Sequence, residues 1–251
     1  MKQFWTNLIA LAAVVTVNAL ANIIPINGQT TGEISNRLNV LFTPAGYVFS
    51  IWGLIYLLLG LWVLRGAFRS QRKRDVYKTT SFMFLISCIL NISWILLWHY
   101  EFFPVSVAVI VGLLISIIII YSKIKHTKHS FWDLLPFSVY MGWVSVAVVA
   151  NTAYTVNEAG WDGLGISSVI WTVALLIVAA AIALGIRYKE SDWVYPLVFI
   201  WAFIGIGVKN EGGESAVVFA AYVLSVVIFI GIFALRKKKK SSFSSRKLSF
   251  K

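Results

Sequence analysis

Long apolar runs alternate with short polar connectors along the whole chain. Eight runs approach the roughly 20 residues that cross a bilayer: about 4–24, 44–64, 79–100, 103–121, 132–152, 165–186, 193–208 and 215–235. Hydrocarbon offers a backbone no partners, so each run must satisfy its own N–H and C=O groups as a helix. Apolarity is near-continuous within the runs rather than alternating residue by residue, which argues against a barrel. The pattern predicts an all-α fold, a polytopic membrane bundle of about eight transmembrane helices.

Finer periodicity inside three runs carries a second signal. In the second, Phe49, Trp52, Tyr56 and Gly60 fall at helical spacing on one face. The third places Asn91, Trp94 and Trp98 the same way. The fifth, "LLPFSVYMGWVSVAVVAN", aligns Pro136, Tyr140, Trp143, Ala147 and Asn151. Each stripe taken alone is what helix packing would produce, because aromatics fill space and Asn bonds across helices. Three coordinated stripes point to a flat hydrophobic ligand cavity, since pockets are mostly apolar and aromatic with a few orienting polar groups. Of the 11 Trp, the residues Trp5, Trp132, Trp161 and Trp193 sit near run ends as an interfacial belt. Trp52, Trp94, Trp143, Trp171 and Trp201 fall inside runs.

Charge adds topology. With Lys2 placed inside, alternate connectors and the tail hold 20 of the 22 Lys and Arg, leaving Arg37 and Lys209 outside. That asymmetry fits the positive-inside rule with both termini cytoplasmic in a multi-pass cell-membrane protein. The net charge of +12 is then a consequence of topology, and a nucleic-acid partner is not expected. The tail "LRKKKKSSFSSRKLSFK" reads as a stop-transfer anchor whose cations also attract anionic headgroups. At the other end, "ALA" at 19–21 resembles a signal-peptide cleavage site. The polar Asn18 and Asn22, one helical turn apart, favour a retained packing helix.

Candidate chemistry is sparse. No Asp, Glu, Lys or Arg lies at mid-depth, which weakens any reading as an ion-coupled transporter. Phosphate-loop, zinc-pair and nucleophile-elbow patterns are absent, and Cys88 is alone. Neither catalytic residues nor a metal site is expected, and the chain reads as a non-enzyme.

Three stretches resemble the translocator protein family, also called tryptophan-rich sensory or peripheral benzodiazepine receptor proteins. "TPAGYVFSIWGLIYLLLG" keeps the Pro44, Phe49, Trp52, Tyr56 and Gly60 pattern of that family's second helix. "LNISW" resembles its third-helix motif, with Asn91 and Trp94. "PFSVYMGWVSVAVVAN" is similar to its fifth-helix motif through Pro136, Trp143 and Asn151. The chain departs from the family at Ala45, Gly46 and Tyr47, where a Trp and a second Pro are usual, and in the first connector, "INGQTTGEISNRLNVL". The resemblance implies a five-helix core over residues 1–157, followed by three additional helices over 158–235 and a basic tail over 236–251. It implies a receptor or sensor that binds a porphyrin or sterol, with no cofactor beyond such a porphyrin ligand, and that often forms a homodimer. The expected ligand contacts are Phe49, Trp52, Tyr56, Asn91, Trp94, Trp98, Tyr140, Trp143 and Asn151. Trp52 and Trp143 match the paired tryptophans implicated in light-dependent porphyrin breakdown. The alternatives are that breakdown activity and a permease for an uncharged or amphipathic solute.

Overall fold

The computed structural model describes every residue except 69, 72 and 236–251, so the basic tail lies outside the described residues. Nine α-helices and no strand occur among the described residues: α1 (Lys2–Ile23), α2 (Thr31–Arg37), α3 (Ile51–Arg65), α4 (Asp75–His99), α5 (Phe103–Lys125), α6 (Phe131–Glu158), α7 (Ser168–Glu190), α8 (Tyr195–Asn210) and α9 (Ser215–Ala234). With the 3₁₀ turn Gly46–Ser50 that feeds α3, seven are long and apolar enough to span a membrane. The expected seventh span, α8, has only 16 residues, about 24 Å of helix. The protein is a polytopic membrane helix bundle.

Five helices close a ring in which α1 packs on α4, α4 on α5, α5 on α6, α6 on α3, and α3 back on α1. The other three form an adjoining layer: α8 leans on α6 and on the turn before α3, and α7 and α9 pack on α8 and on each other. Small residues allow the closest approaches. A Cβ on Gly142 of α6 would lie 2.9 Å from Val198 Cβ of α8, and one on Gly205 would lie 2.1 Å from Val48 Cγ2.

Polar side chains set the helix starts. Ser130 and Asp133 form a capping box at α6, with the Ser130 N–H donating to Asp133 Oδ2 at 2.7 Å. The same fully buried carboxylate accepts from Arg74 Nη2 at 2.7 Å, fixing the α3–α4 connector to α6. Thr30 and Glu33 form a second capping box that starts α2 within the first connector.

Three expectations are corrected here. The sixth helix runs to Glu158, well past 152, because its last turns remain packed around Asn151 and Tyr154. Trp171 lies near the end of its span rather than well inside it: α7 starts at Ser168 behind the Ser167 cap, which puts Trp171 in its first turn. Arg187 is not a loop cation. It is buried in α7 and its Nε donates to the Ile232 carbonyl of α9 at 2.8 Å, tying the two helices together.

Candidate functional site

The three stripes converge inside the ring, at the half of the bundle that carries α2. Trp52 is the hub. Its ring stacks on Tyr56 (centroids 5.7 Å apart), tilts against Trp94 (5.8 Å), and makes edge contacts with Tyr140 (6.0 Å) and Trp143 (6.2 Å). Phe49 meets Trp143 edge-on at 5.9 Å. Offset and T-shaped pairs at these distances are the favoured aromatic geometries. Residues from α3, α4 and α6 thus form one aromatic wall.

Amides tie this wall together from behind. Asn91 donates to the Tyr140 hydroxyl at 2.9 Å and accepts from Asn18 Nδ2 of α1 at 2.8 Å. Asn151 accepts from Trp94 Nε1 at 2.8 Å, and its Nδ2 donates to Ser106 Oγ of α5 at 3.0 Å. Four of the nine expected ligand contacts, Asn91, Asn151, Tyr140 and Trp94, therefore use these polar groups on each other or on neighbouring helices.

The indole N–H groups of Trp98 and Trp143 differ. Both are buried and neither has a partner among the described residues. Leaving such a donor unmade costs about 1–3 kcal/mol, and an orphan of this kind calls for an explanation such as an occupant. Trp98 and Trp143 line a small cavity of about 40 Å³ together with Phe49, Trp52, Trp94 and Asn151. Trp98 sits one turn beyond the main wall, packed on Phe103 (5.1 Å) and Tyr154 (4.9 Å). Tyr140, Tyr56 and Asn91 do not line this cavity.

A groove of about 470 Å³ lies on the other side of Phe49 and Trp52, between α1 and α3. Tyr56 lines it, along with Asn18, Asn22 and Thr30. Phe49, Trp52 and Thr31 line both spaces, so two ring side chains partition a volume of ligand size into a small inner and a larger outer compartment.

The roof comes from residues that stripe reasoning missed. Thr31, Ser35 and Thr43 line the inner cavity, and Tyr154 completes its wall. Tyr154 extends the 143–147–151 series by one further helical step, so the signal was present. The roof is latched to the α4–α5 turn. Arg37 Nη1 meets Glu101 Oε1 at 2.6 Å, and Gln29 donates to the same oxygen at 3.2 Å. The Arg37 bond holds the Glu101 carboxyl below its ordinary range and raises the guanidinium in turn. Asn27 donates to the His99 carbonyl at 3.0 Å, and Thr31 Oγ1 lies 3.4 Å from His99 Nε2.

The adjoining layer supports the same segment. The Ala45 N–H donates to the Gly205 carbonyl at 3.0 Å, Trp201 Nε1 to the Val48 carbonyl at 3.1 Å, and Asn210 Nδ2 to the Leu41 carbonyl at 3.0 Å. Tyr47 meets Trp201 edge-on at 5.4 Å. Ala45, Gly46 and Tyr47, where the chain departs from the motif it otherwise keeps, are thus where α8 docks.

No cluster of His, Cys, Asp or Glu among the described residues has metal-site geometry. The family described as TSPO-like protein matches residues 4–234, through the last three helices as well as the first five. Neither a curated protein nor a solved structure matches the chain.

Proposed function

The chain belongs to the TSPO-like family, and from that membership and the cavity's geometry we propose that it is a membrane receptor or sensor for a planar hydrophobic ligand of the porphyrin or sterol class. The observation that carries the reading is the pair of unpartnered indole N–H groups, Trp98 and Trp143, on a cavity that shares Phe49 and Trp52 as walls with a larger groove.

The inner cavity as it stands holds little more than a water molecule or two, whereas ligand sites span about 300–1,000 Å³. A planar ligand therefore enters from the α1–α3 groove and displaces Trp52 or Phe49, merging the two compartments. Its face stacks on the aromatic wall, and its acceptor atoms accept hydrogen bonds from the indole N–H groups. The amide pairs behind the wall keep the helices in register while the rings move. Both termini lie on the cytoplasmic side of the cell membrane in this reading, which leaves the roofed end facing outward.

Titration of the purified protein with protoporphyrin IX, read by ligand absorbance and Trp quenching, tests binding. Saturable binding with one ligand per chain is expected; a linear rise matching protein-free detergent would overturn the reading. Uptake into liposomes separates a receptor from a permease, and a receptor is expected to give no flux above empty vesicles.

A further inference from the structure

A second cavity, of about 500 Å³, lies outside the ring where α6 and α7 diverge, bounded on one side by residues 39–42. It shares no lining residue with the aromatic cavity, although α6 separates them by only one helix. Its deep end is apolar, formed by Val149, Ala153 and Leu175. Its mouth holds Trp161, Asp162 and Trp171.

These three mouth residues have a specific chemistry. Trp161 and Trp171 sit with ring centroids 5.4 Å apart at an interplanar angle of 50°, forming an open aromatic corner. The Trp171 indole is held by its N–H, which donates to the Gly163 carbonyl at 2.9 Å, so the ring is pinned. Trp161 is 45% exposed. Asp162 accepts from the Leu164 N–H through Oδ1 at 2.9 Å, and it forms no ion pair among the described residues. Neither does any described Lys or Arg stack on these two rings. Two indole faces beside an unneutralised carboxylate are the elements that recognise an ammonium group, by the attraction of a cation to the ring quadrupole and by direct charge. Among the described residues no cation lines this cavity.

We infer that this cleft is a binding site for a single-chain amphipathic ammonium compound. The positive head lies between Trp161, Trp171 and Asp162, and the hydrocarbon tail runs along α6 toward Val149. From Val156 to Val149 the helix descends seven residues, about 10 Å, which accommodates a chain of octyl length. The end of the bundle and the belt position of Trp161 put the head at interface depth and the tail among acyl chains. An anionic head would meet Asp162 unfavourably, so charge sets the selectivity. This site stands independently of the porphyrin reading.

Equilibrium dialysis of the full chain in dodecyl maltoside against labelled octyltrimethylammonium, with protein-free micelles subtracted, tests the assignment. One saturable site per chain is expected, displaced by neither octanol nor octyl sulfate. Asp162→Asn keeps the acceptor for the Leu164 N–H while removing the charge, and it should weaken binding at least about tenfold. Trp161→Leu, at an exposed ring, should do the same. Non-saturable uptake, equal displacement by octanol, or parental affinity in either variant would overturn it. Displacement by dihexanoylphosphatidylcholine, whose phosphate would crowd Asp162, would make the cleft a lipid headgroup seat and overturn it as well.

Discussion

The Trp94 indole donates to the Asn151 carboxamide at 2.8 Å, across two helices that are not ring neighbours. The bond explains why an amide and an indole sit in the middle of apolar runs: each is the other's partner. Asn91 does the same between α1 and α6 through Asn18 and Tyr140. Helix register and aromatic wall are therefore set by the same few residues.

Asn91→Leu and Asn151→Leu should each destabilise the protein by about 1–3 kcal/mol, because each removes a partner from buried polar groups on two other helices. Asn151→Leu orphans Trp94 Nε1 and leaves Ser106 Oγ only its bond to the Phe103 carbonyl; Asn91→Leu leaves Asn18 Nδ2 only its bond to the Val14 carbonyl and removes the donor to the Tyr140 hydroxyl. Thermal unfolding in detergent should show a lowered midpoint for both. Parental midpoints for both would mean that the freed groups find other partners at no cost.

Ligand binding should respond to the wall residues. Trp52→Ala and Trp143→Ala each remove a ring from the partition or the cavity wall. Each should weaken protoporphyrin binding by at least about tenfold, roughly 1.4 kcal/mol. Trp5→Ala, an exposed ring in contact with Phe4, should leave it unchanged. Phe replacements retain the ring but not the N–H, so Trp143→Phe isolates the contribution of the unpartnered donor. Parental affinity in both folded Ala variants would exclude this cavity as the site.

The membrane helix bundle, the aromatic stripes and the buried amides were legible because lipid forces helices and helical spacing then fixes which residues share a face. Pairing was not. The sequence shows that Asn91 and Asn151 are buried-capable, but not that they serve Tyr140 and Trp94, since partners lie 49 and 57 residues away. The roof escaped notice because α2 is short and polar, held by a capping box and a salt bridge rather than by apolar periodicity. Residues 45–47 looked like plain departures from a motif. Their meaning appears only when α8, some 160 residues later, is seen to bond the same backbone.

The roof latch should be sensitive to acid. Glu101 has a depressed folded-state pKa because Arg37 binds its ionised form. Its stabilisation is therefore complete above the unfolded value, about 4.3, and is lost as pH falls through the lower folded value. Both side chains are more than a third exposed, so solvent screening keeps the effect small and local. Amide exchange in residues 31–37, corrected for intrinsic rate, should quicken over that acid window. In Glu101→Gln it should already be quick at neutral pH and lose its acid dependence. Identical protection in parent and variant would show that Asn27 and Thr31 hold the roof without the ion pair.

The last prediction concerns the coupling of α8 to the cavity. Gly205 lines neither compartment, yet its carbonyl accepts from the Ala45 N–H and its Cα lies against Val48. A Cβ there would fall 2.1 Å from Val48 Cγ2 and 3.3 Å from Pro44 Cβ, so even Gly205→Ala must push the turn that carries Pro44 and Phe49. Overpacking of this kind typically costs about 1–3 kcal/mol. The displaced turn bears two cavity-lining residues, so protoporphyrin affinity should fall together with stability. Val48→Ala removes the clashing methyl groups, and the double variant Gly205→Ala, Val48→Ala should recover a large part of both losses. Such recovery would be read as a positive coupling in a double-mutant cycle, because the two residues are in direct contact. Strict additivity of the two single effects would show instead that α8 docks without constraining the wall.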